Sequence, residues 1–159
     1  LWPPFAQTIL VLLMFVGGCS GSTAGSIKCG RILLLLRSST RSLLRLSHPR
    51  AVRVVKLDGK VVDEETLRTV SSFFLCFFAL LGVGCLVVSL DGYSLTTSFT
   101  AALGCLSNVG PGLDLVGPMG NFGLLSGFNK VFLSLLMLIG RLEISPILLL
   151  FLPPPGRRS

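Results

Sequence analysis

The chain has 159 residues, 51% of them hydrophobic and only 13% charged, with a mean hydropathy of +0.81 and a formal net charge of +7. A soluble domain of this length carries about 25% charged residues, so the composition argues against a soluble globular fold and for an integral membrane protein. Ten of the 14 Lys and Arg residues fall between Lys28 and Arg68, flanked by apolar runs and without interleaved aromatics, so the basic surplus marks loop orientation rather than nucleic-acid binding.

The chain opens at Leu1 within an apolar run, with no basic n-region or small-residue cleavage site, and is read as an N-terminally truncated piece rather than one led by a signal peptide. Phe5 to Val16 is apolar but supports only about 18 Å of helix. It runs into Gly17-Gly18-Cys19-Ser20-Gly21-Ser22-Thr23-Ala24-Gly25-Ser26, small residues whose propensities do not sustain a continuous helix. Apolar helical character resumes at Ile27 and continues through Leu36. Arg37, Arg41 and Arg45 then recur every four residues among leucines, which predicts a basic amphipathic helix along the inner membrane surface. Either these arginines meet anionic lipid or a partner, or they form a solvated charged face; both readings are open. Val52 to Val62, centred on Leu57-Asp58-Gly59-Lys60, reads as a small hairpin with an Asp-Gly turn. Asp63-Glu64-Glu65 opens the next helix with acids in its first turn, where the dipole favours them.

Two segments are long enough to span a bilayer, whose core needs ~20 helical residues. Val70 to Leu90 carries no charge, and Val131 to Leu152 carries only Arg141 and Glu143. Between them, Ser94 to Cys105 could form a helix of about half the bilayer thickness, stopped by Ser107-Asn108-Val109-Gly110-Pro111-Gly112. If the basic stretch 28–68 is cytoplasmic, span 70–90 exits, and 94–112 must go in and come back out before span 131–152 returns Arg157 and Arg158 to the cytoplasm. Non-helical backbone at membrane depth is tolerated only when buried in protein or lining a watery cavity, so the re-entrant segment points at a pore. Glycines in Asn108-Val109-Gly110-Pro111-Gly112 permit backbone geometries that aim carbonyls inward, and those carbonyls could replace a cation's hydration shell. An ordinary Gly-Pro turn between helices is the alternative.

Arg141 sits eleventh in its predicted span, too deep to snorkel easily, so it is expected to face protein or water. Either it caps carbonyls of a neighbouring helix or it serves a gate. Glu143 lies on nearly the opposite face, and Pro146 should kink the helix. The five cysteines form no CxxC pair and His48 is the sole histidine, which fits neither a zinc site nor a disulfide framework; buried inert thiols are expected. No Gly-x-Ser-x-Gly elbow, phosphate-loop spacing or paired intramembrane carboxylate is found, so no catalytic residues and no cofactor are expected and the chain is not read as an enzyme.

Gly17-Gly18-Cys19-Ser20-Gly21-Ser22-Thr23 followed by Lys28, then His48-Pro49-Arg50-Ala51-Val52, Asn108-Val109-Gly110-Pro111-Gly112 and Gly140-Arg141-Leu142-Glu143 occur in the order found in the Trk/Ktr/HKT cation-transporter family. The chain resembles the C-terminal part of that family's membrane subunit over essentially its whole length. The resemblance implies an all-α membrane fold: one M1–pore-helix–M2 potassium-channel-like repeat preceded by the broken M2 helix of the repeat before it. Residues 1–46 would be that broken helix, with intramembrane loop 17–26 and a basic cytoplasmic extension. A cytoplasmic linker 47–67 would follow. Repeat four would occupy 68–152, with M1 at 70–90, pore helix at 94–105, filter at 107–112 and M2 at 131–152, and 153–159 would be a cytoplasmic tail. The family often has Gly-Gly-Gly where this chain has Ala24-Gly25-Ser26, which restricts the loop's backbone.

The implied function is passage of a monovalent cation, potassium above all, bound at the carbonyls of Asn108, Val109 and Gly110 and gated by loop 17–26 with Arg141. Implied partners are membrane lipid, the subunit's remaining repeats, a second copy in a homodimer and a cytosolic nucleotide-binding regulatory subunit, with no nucleic acid. The implied location is the bacterial inner membrane, multi-pass, with loop 28–68 and the C-terminus cytoplasmic. The competing reading is a non-conducting scaffold or regulatory fragment whose basic helix docks lipid or a cytosolic partner.

Overall fold

A computed structural model describes residues 3–17, 27–47, 56–57 and 60–142. The fold is helical: α1 (Pro4–Phe15), α2 (Cys29–Ser47), α3 (Glu64–Ser89), α4 (Leu95–Leu106) and α5 (Gly127–Arg141), with short 3₁₀ turns at Asp114–Val116 and Phe122–Leu124. A minimal hairpin, β1 (Lys56–Leu57) antiparallel to β2 (Lys60–Val61), sets Leu57 opposite Lys60. Its turn residues Asp58 and Gly59 lie outside the described residues.

Helix α1 starts with proline at its first position, where the missing N–H is no loss. It ends at Val16, which turns extended and forms a parallel bridge with Ile27. Gly17 N–H donates to the Ile27 carbonyl at 2.9 Å, and the Cys29 thiol donates to the Gly17 carbonyl at 3.1 Å. The two ends of segment 18–26 are therefore held side by side at a neck. Ile27 is buried there in the same apolar cluster as Met14 of α1.

Helices α2 and α3 run antiparallel. Along α2 the guanidinium of Arg31 lies 4.2 Å over the Phe73 ring, Leu34 clusters with Leu67 and Val70, and Arg41 pairs with Glu64 at 2.6 Å. Helix α3 begins at Glu64, six residues before the expected span, because Asp63 caps it by accepting the Glu64 N–H and the acidic first turn suits the dipole. Its 26 residues reach about 39 Å, more than the ~30 Å of a bilayer core. Leu67, Val70, Phe73, Phe77, Leu81, Gly84 and Val88 form its buried stripe, while Leu75, Phe78, Val83 and Leu86 stand exposed on the other side. Among the described residues α3 is the helix long and apolar enough to cross a membrane.

Helix α4 is the centre of the molecule. From Ala101 to Leu106 it is buried on every side, enclosed by α1, α3, α5 and its own returning chain. Ser94 caps it, accepting the Thr97 N–H. Helix α5 likewise starts four residues before the expected Val131, because Ser126 caps it by accepting the Asn129 N–H at 3.3 Å. It ends at Arg141, so Arg141, expected in mid-span, stands in the last turn of α5; Glu143 and Pro146 lie outside the described residues.

Candidate functional site

One end of the molecule gathers the end of α3 and the starts of α4 and α5. The buried Asn129 amide donates to Asp91 Oδ2 at 2.8 Å, the Tyr93 hydroxyl to the Leu124 carbonyl at 3.0 Å, and Lys130 Nζ to the Gly123 carbonyl at 2.8 Å. From this end α4 descends to Leu106, and the chain then reverses. Asn108 adopts φ 56°, a left-handed conformation that asparagine tolerates better than most residues, and Gly110 adopts φ 99°, open to glycine alone. The reversal turns three N–H groups back onto the helix end. Asn108 donates to Cys105 at 3.1 Å, and Val109 and Gly110 donate to Gly104 at 3.0 and 3.3 Å. Carbonyls that a helix C-terminus leaves without partners are thereby satisfied.

The chain then climbs back beside α4. Gly112 N–H donates to the Val116 carbonyl at 2.8 Å, Leu113 N–H to Thr100 Oγ1 at 2.9 Å, and Asp114 Oδ2 accepts from Thr97 at 2.7 Å and Ser94 at 2.9 Å. Thus 94–114 goes in as a helix and returns as an extended segment to the helix's own first turn. The low point of this excursion is fixed against α5, where Asn108 Nδ2 donates to the Met137 carbonyl at 3.1 Å. Met137 lies eight residues beyond Asn129, about 12 Å along the helix.

Among the described residues, no donor reaches the carbonyls of Asn108, Val109 or Gly110. They lie at the negative end of α4's dipole. A short apolar helix that ends in carbonyls to which no described residue donates is the kind of arrangement that carbonyl-lined cation sites use. A cavity of about 280 Å³ opens beside Gly110, lined also by Cys105, Lys130 and Met137. The Thr97 and Ser94 hydroxyls on Asp114 hold its carboxyl below the ordinary carboxylate range.

The remaining expected site residues fall in three places. Gly17 forms the neck with Ile27 and Cys29, whereas Gly18, Cys19, Ser20, Gly21, Ser22, Thr23, Ala24, Gly25 and Ser26 lie outside the described residues. Arg141 follows Gly140, which touches the Leu106 carbonyl, so the arginine stands within a turn of the reversal's base. Of the three arginines of α2, Arg41 is turned toward α3 and paired with Glu64, its side chain only 15% exposed, and Arg37 is exposed. The side chain of Arg45 lies outside the described residues. The hydroxyls of Ser94, Thr97 and Thr100 and the carboxylate of Asp114 were not anticipated, although a hydroxyl every third residue on a short apolar helix was a visible signal.

A spanning helix, a buried half-helix from which the chain turns back and a second helix packed on its tip define a helical membrane protein of the pore-loop class. A family model described as TrkH, cation transport protein, matches residues 1–157, and the chain belongs to that family. It is 38% identical over 150 residues to the Trk system potassium uptake protein TrkG of Escherichia coli K12, covering 94% of this chain and 30% of the relative. It is also 38% identical over 152 residues to the E. coli K12 Trk system potassium uptake protein TrkH, covering 96% and 31%. The crystal structure of the potassium transporter TrkH from Vibrio parahaemolyticus superposes with a TM-score of 0.85 at 38% identity, over 96% of this chain and 32% of that one. The chain therefore spans about a third of the length of the relatives it matches.

Proposed function

We propose that this chain is the C-terminal part of the pore-forming subunit of a Trk-like potassium uptake system, and that the carbonyls of Asn108, Val109 and Gly110 form its quarter of the ion filter. The observation that carries this reading is the reversal at Asn108–Gly110. It turns the N–H groups into the end of α4 and leaves those carbonyls with no donor among the described residues. Ser107, Pro111 and Gly112 complete the filter segment. Potassium is the substrate named for the relatives, and backbone carbonyls are the ligand class that replaces its hydration shell. One re-entrant segment walls only part of a filter, so the other walls come from further repeats of the same subunit.

On this reading residues 1–46 are the broken second helix of the preceding repeat, 47–67 a cytoplasmic linker and 68–152 the last repeat, followed by a short tail. Loop 17–26, whose ends are joined at the neck, is the gate on this reading, and Arg141 acts with it. Sidedness follows the Lys and Arg excess, which keeps 28–68 and the C-terminus in the cytoplasm of a bacterial inner membrane. Arg37 and Arg45 meet lipid headgroups or a partner. A homodimer and a cytosolic nucleotide-binding subunit complete the system.

Potassium-limited growth of an uptake-deficient bacterium carrying the full-length gene tests the reading. Rescue by the parent and its loss in Gly110→Arg, at equal membrane expression, is the expected result. Equal rescue by both would remove Asn108–Gly112 from the ion path.

A further inference from the structure

Three side-chain hydroxyls, those of the α4 cap Ser94 and of Thr97 and Thr100 within α4, stand three residues apart and face the chain returning from the reversal. Thr97 and Ser94 donate to the same Asp114 oxygen at 2.7 and 2.9 Å. Thr100 donates to the Thr96 carbonyl at 2.7 Å and accepts the Leu113 N–H at 2.9 Å, so both of its hydrogen-bonding roles are filled. Thr97 and Thr100 are buried at 0% and 1% exposure, so the inner part of this ladder lies behind the segment, while Ser94 and Asp114 at its outer end are exposed. Asp114 itself holds φ 59°, a conformation uncommon for a residue with a side chain, which persists only where surrounding contacts determine it. Two consecutive residues just past the filter, Leu113 and Asp114, are thus fixed to the helix that the filter leaves.

We propose that Ser94, Thr97 and Thr100, acting through Leu113 and Asp114, are positioning residues that set the spacing of the filter carbonyls and so the discrimination between potassium and smaller cations. The inference rests on the transport reading above. The segment from Val109 to Leu113 is tied at both ends to α4, at Gly104 by the Val109 and Gly110 N–H groups and at Thr100 by the Leu113 N–H. Between these ties Pro111 has no N–H to give and is exposed, and the carbonyls of Asn108 to Gly110 accept nothing from the described residues. The Asn108 and Val109 carbonyls share peptide planes with the tied Val109 and Gly110 N–H groups, so the outer ties act above all on the Gly110 carbonyl, whose peptide to Pro111 carries no N–H. Cutting them would let the carbonyls close around a smaller ion.

The test is the ratio of potassium to sodium uptake by the full-length subunit in cells, a quantity independent of how much protein reaches the membrane. Thr97→Val removes the donor and keeps the shape; loss of this part-buried hydrogen bond to a charged group lowers the ratio by several-fold, on the order of threefold to tenfold. Thr97→Ser, which keeps the donor, restores it. Ser98→Ala is the control, because Ser98 is buried on the same helix and its hydroxyl has no hydrogen-bond partner among the described residues. Asp114→Ala, at an exposed position, reads the same ratio should Thr97→Val fail to assemble. If Asp114 acted only as a surface charge attracting cations, its loss would slow potassium and sodium alike and leave the ratio unchanged. An unchanged ratio in Thr97→Val, or in Asp114→Ala where the former does not assemble, with uptake intact, overturns the inference alone. No potassium uptake by the unmodified subunit overturns the transport reading and the inference with it.

Discussion

Gly140 lies directly against the Leu106 carbonyl: a Cβ at position 140 would overlap that oxygen and come 2.9 Å from its carbon and 3.0 Å from Asn108 Nδ2. Helix α5 can therefore reach the tip of α4 only with glycine at this position. Because backbone stands in the way rather than a flexible side-chain end, Gly140→Ala must push the two helices apart. Overpacking of this kind costs about 1–3 kcal/mol. A thermal melt of the detergent-solubilised subunit should show a lowered midpoint, and potassium uptake should fall as the Asn108–Met137 bond lengthens. A midpoint equal to that of the parent would mean that this contact does not hold the helices.

Asn108 combines two tasks that different substitutions separate. Its φ of 56° requires a residue at ease in the left-handed region, and its side-chain amide ties the reversal to Met137. Asn108→Gly keeps the conformation and loses the tie, so it should cost about 1 kcal/mol and retain measurable uptake. Asn108→Val loses both and places a β-branched residue where it fits worst, so uptake should be abolished. Uptake equal in the two variants would contradict the assigned conformation.

These two positions also separate what the sequence displayed from what it concealed. The half-helix and its stop were legible because an apolar run capped by Ser94 broke into Asn-Val-Gly-Pro-Gly, and both features act through local chemistry. The early start of α5 was hidden. Asn129 and Lys130 look like loop residues until Asn129 finds Asp91, 38 residues back in the chain. The pairing of Asp114 with Thr97 was hidden for the same reason, since periodicity assigns a face to each residue but no partner to it. For Arg41, the sequence placed it on a basic stripe, and only the antiparallel register of α2 on α3 assigned Glu64 to it. The apolar run to Leu152 set the predicted end of the last span; α5 is described as far as Arg141, and residues 143–152 lie outside the described residues.

If Arg141 helps hold the gate shut, Arg141→Ala in the full-length subunit should raise potassium flux under conditions that keep the parent closed, compared at equal membrane expression. Flux assayed in proteoliposomes checks this. Flux identical to the parent's in both closed and open conditions would assign Arg141 no part in gating.

The carboxyl of Asp114 is held below its ordinary value of 3.8 by hydrogen bonds from Thr97 first and Ser94 second, against a smaller opposing effect of desolvation. A group whose folded value is depressed contributes stability that is fully present above the ordinary value and lost as pH falls through the folded one. The outer tie of the filter segment should therefore be unaffected between pH 7 and about pH 5 and should loosen only below about pH 4. Hydrogen exchange at Leu113, whose amide is bound to Thr100, should accelerate in that acid window, and Asp114→Asn should remove the acid dependence. Acceleration centred near neutral pH would assign the effect to another group.

The central claim is that a cation rests on the carbonyls of Asn108, Val109 and Gly110. Anomalous diffraction from crystals of the full-length subunit grown in rubidium tests it most directly, because rubidium substitutes for potassium and reveals its own position. An anomalous peak is expected within coordination distance of those three oxygens, weakened in Gly110→Arg. Rubidium peaks elsewhere in the subunit, with none on this segment, would contradict it.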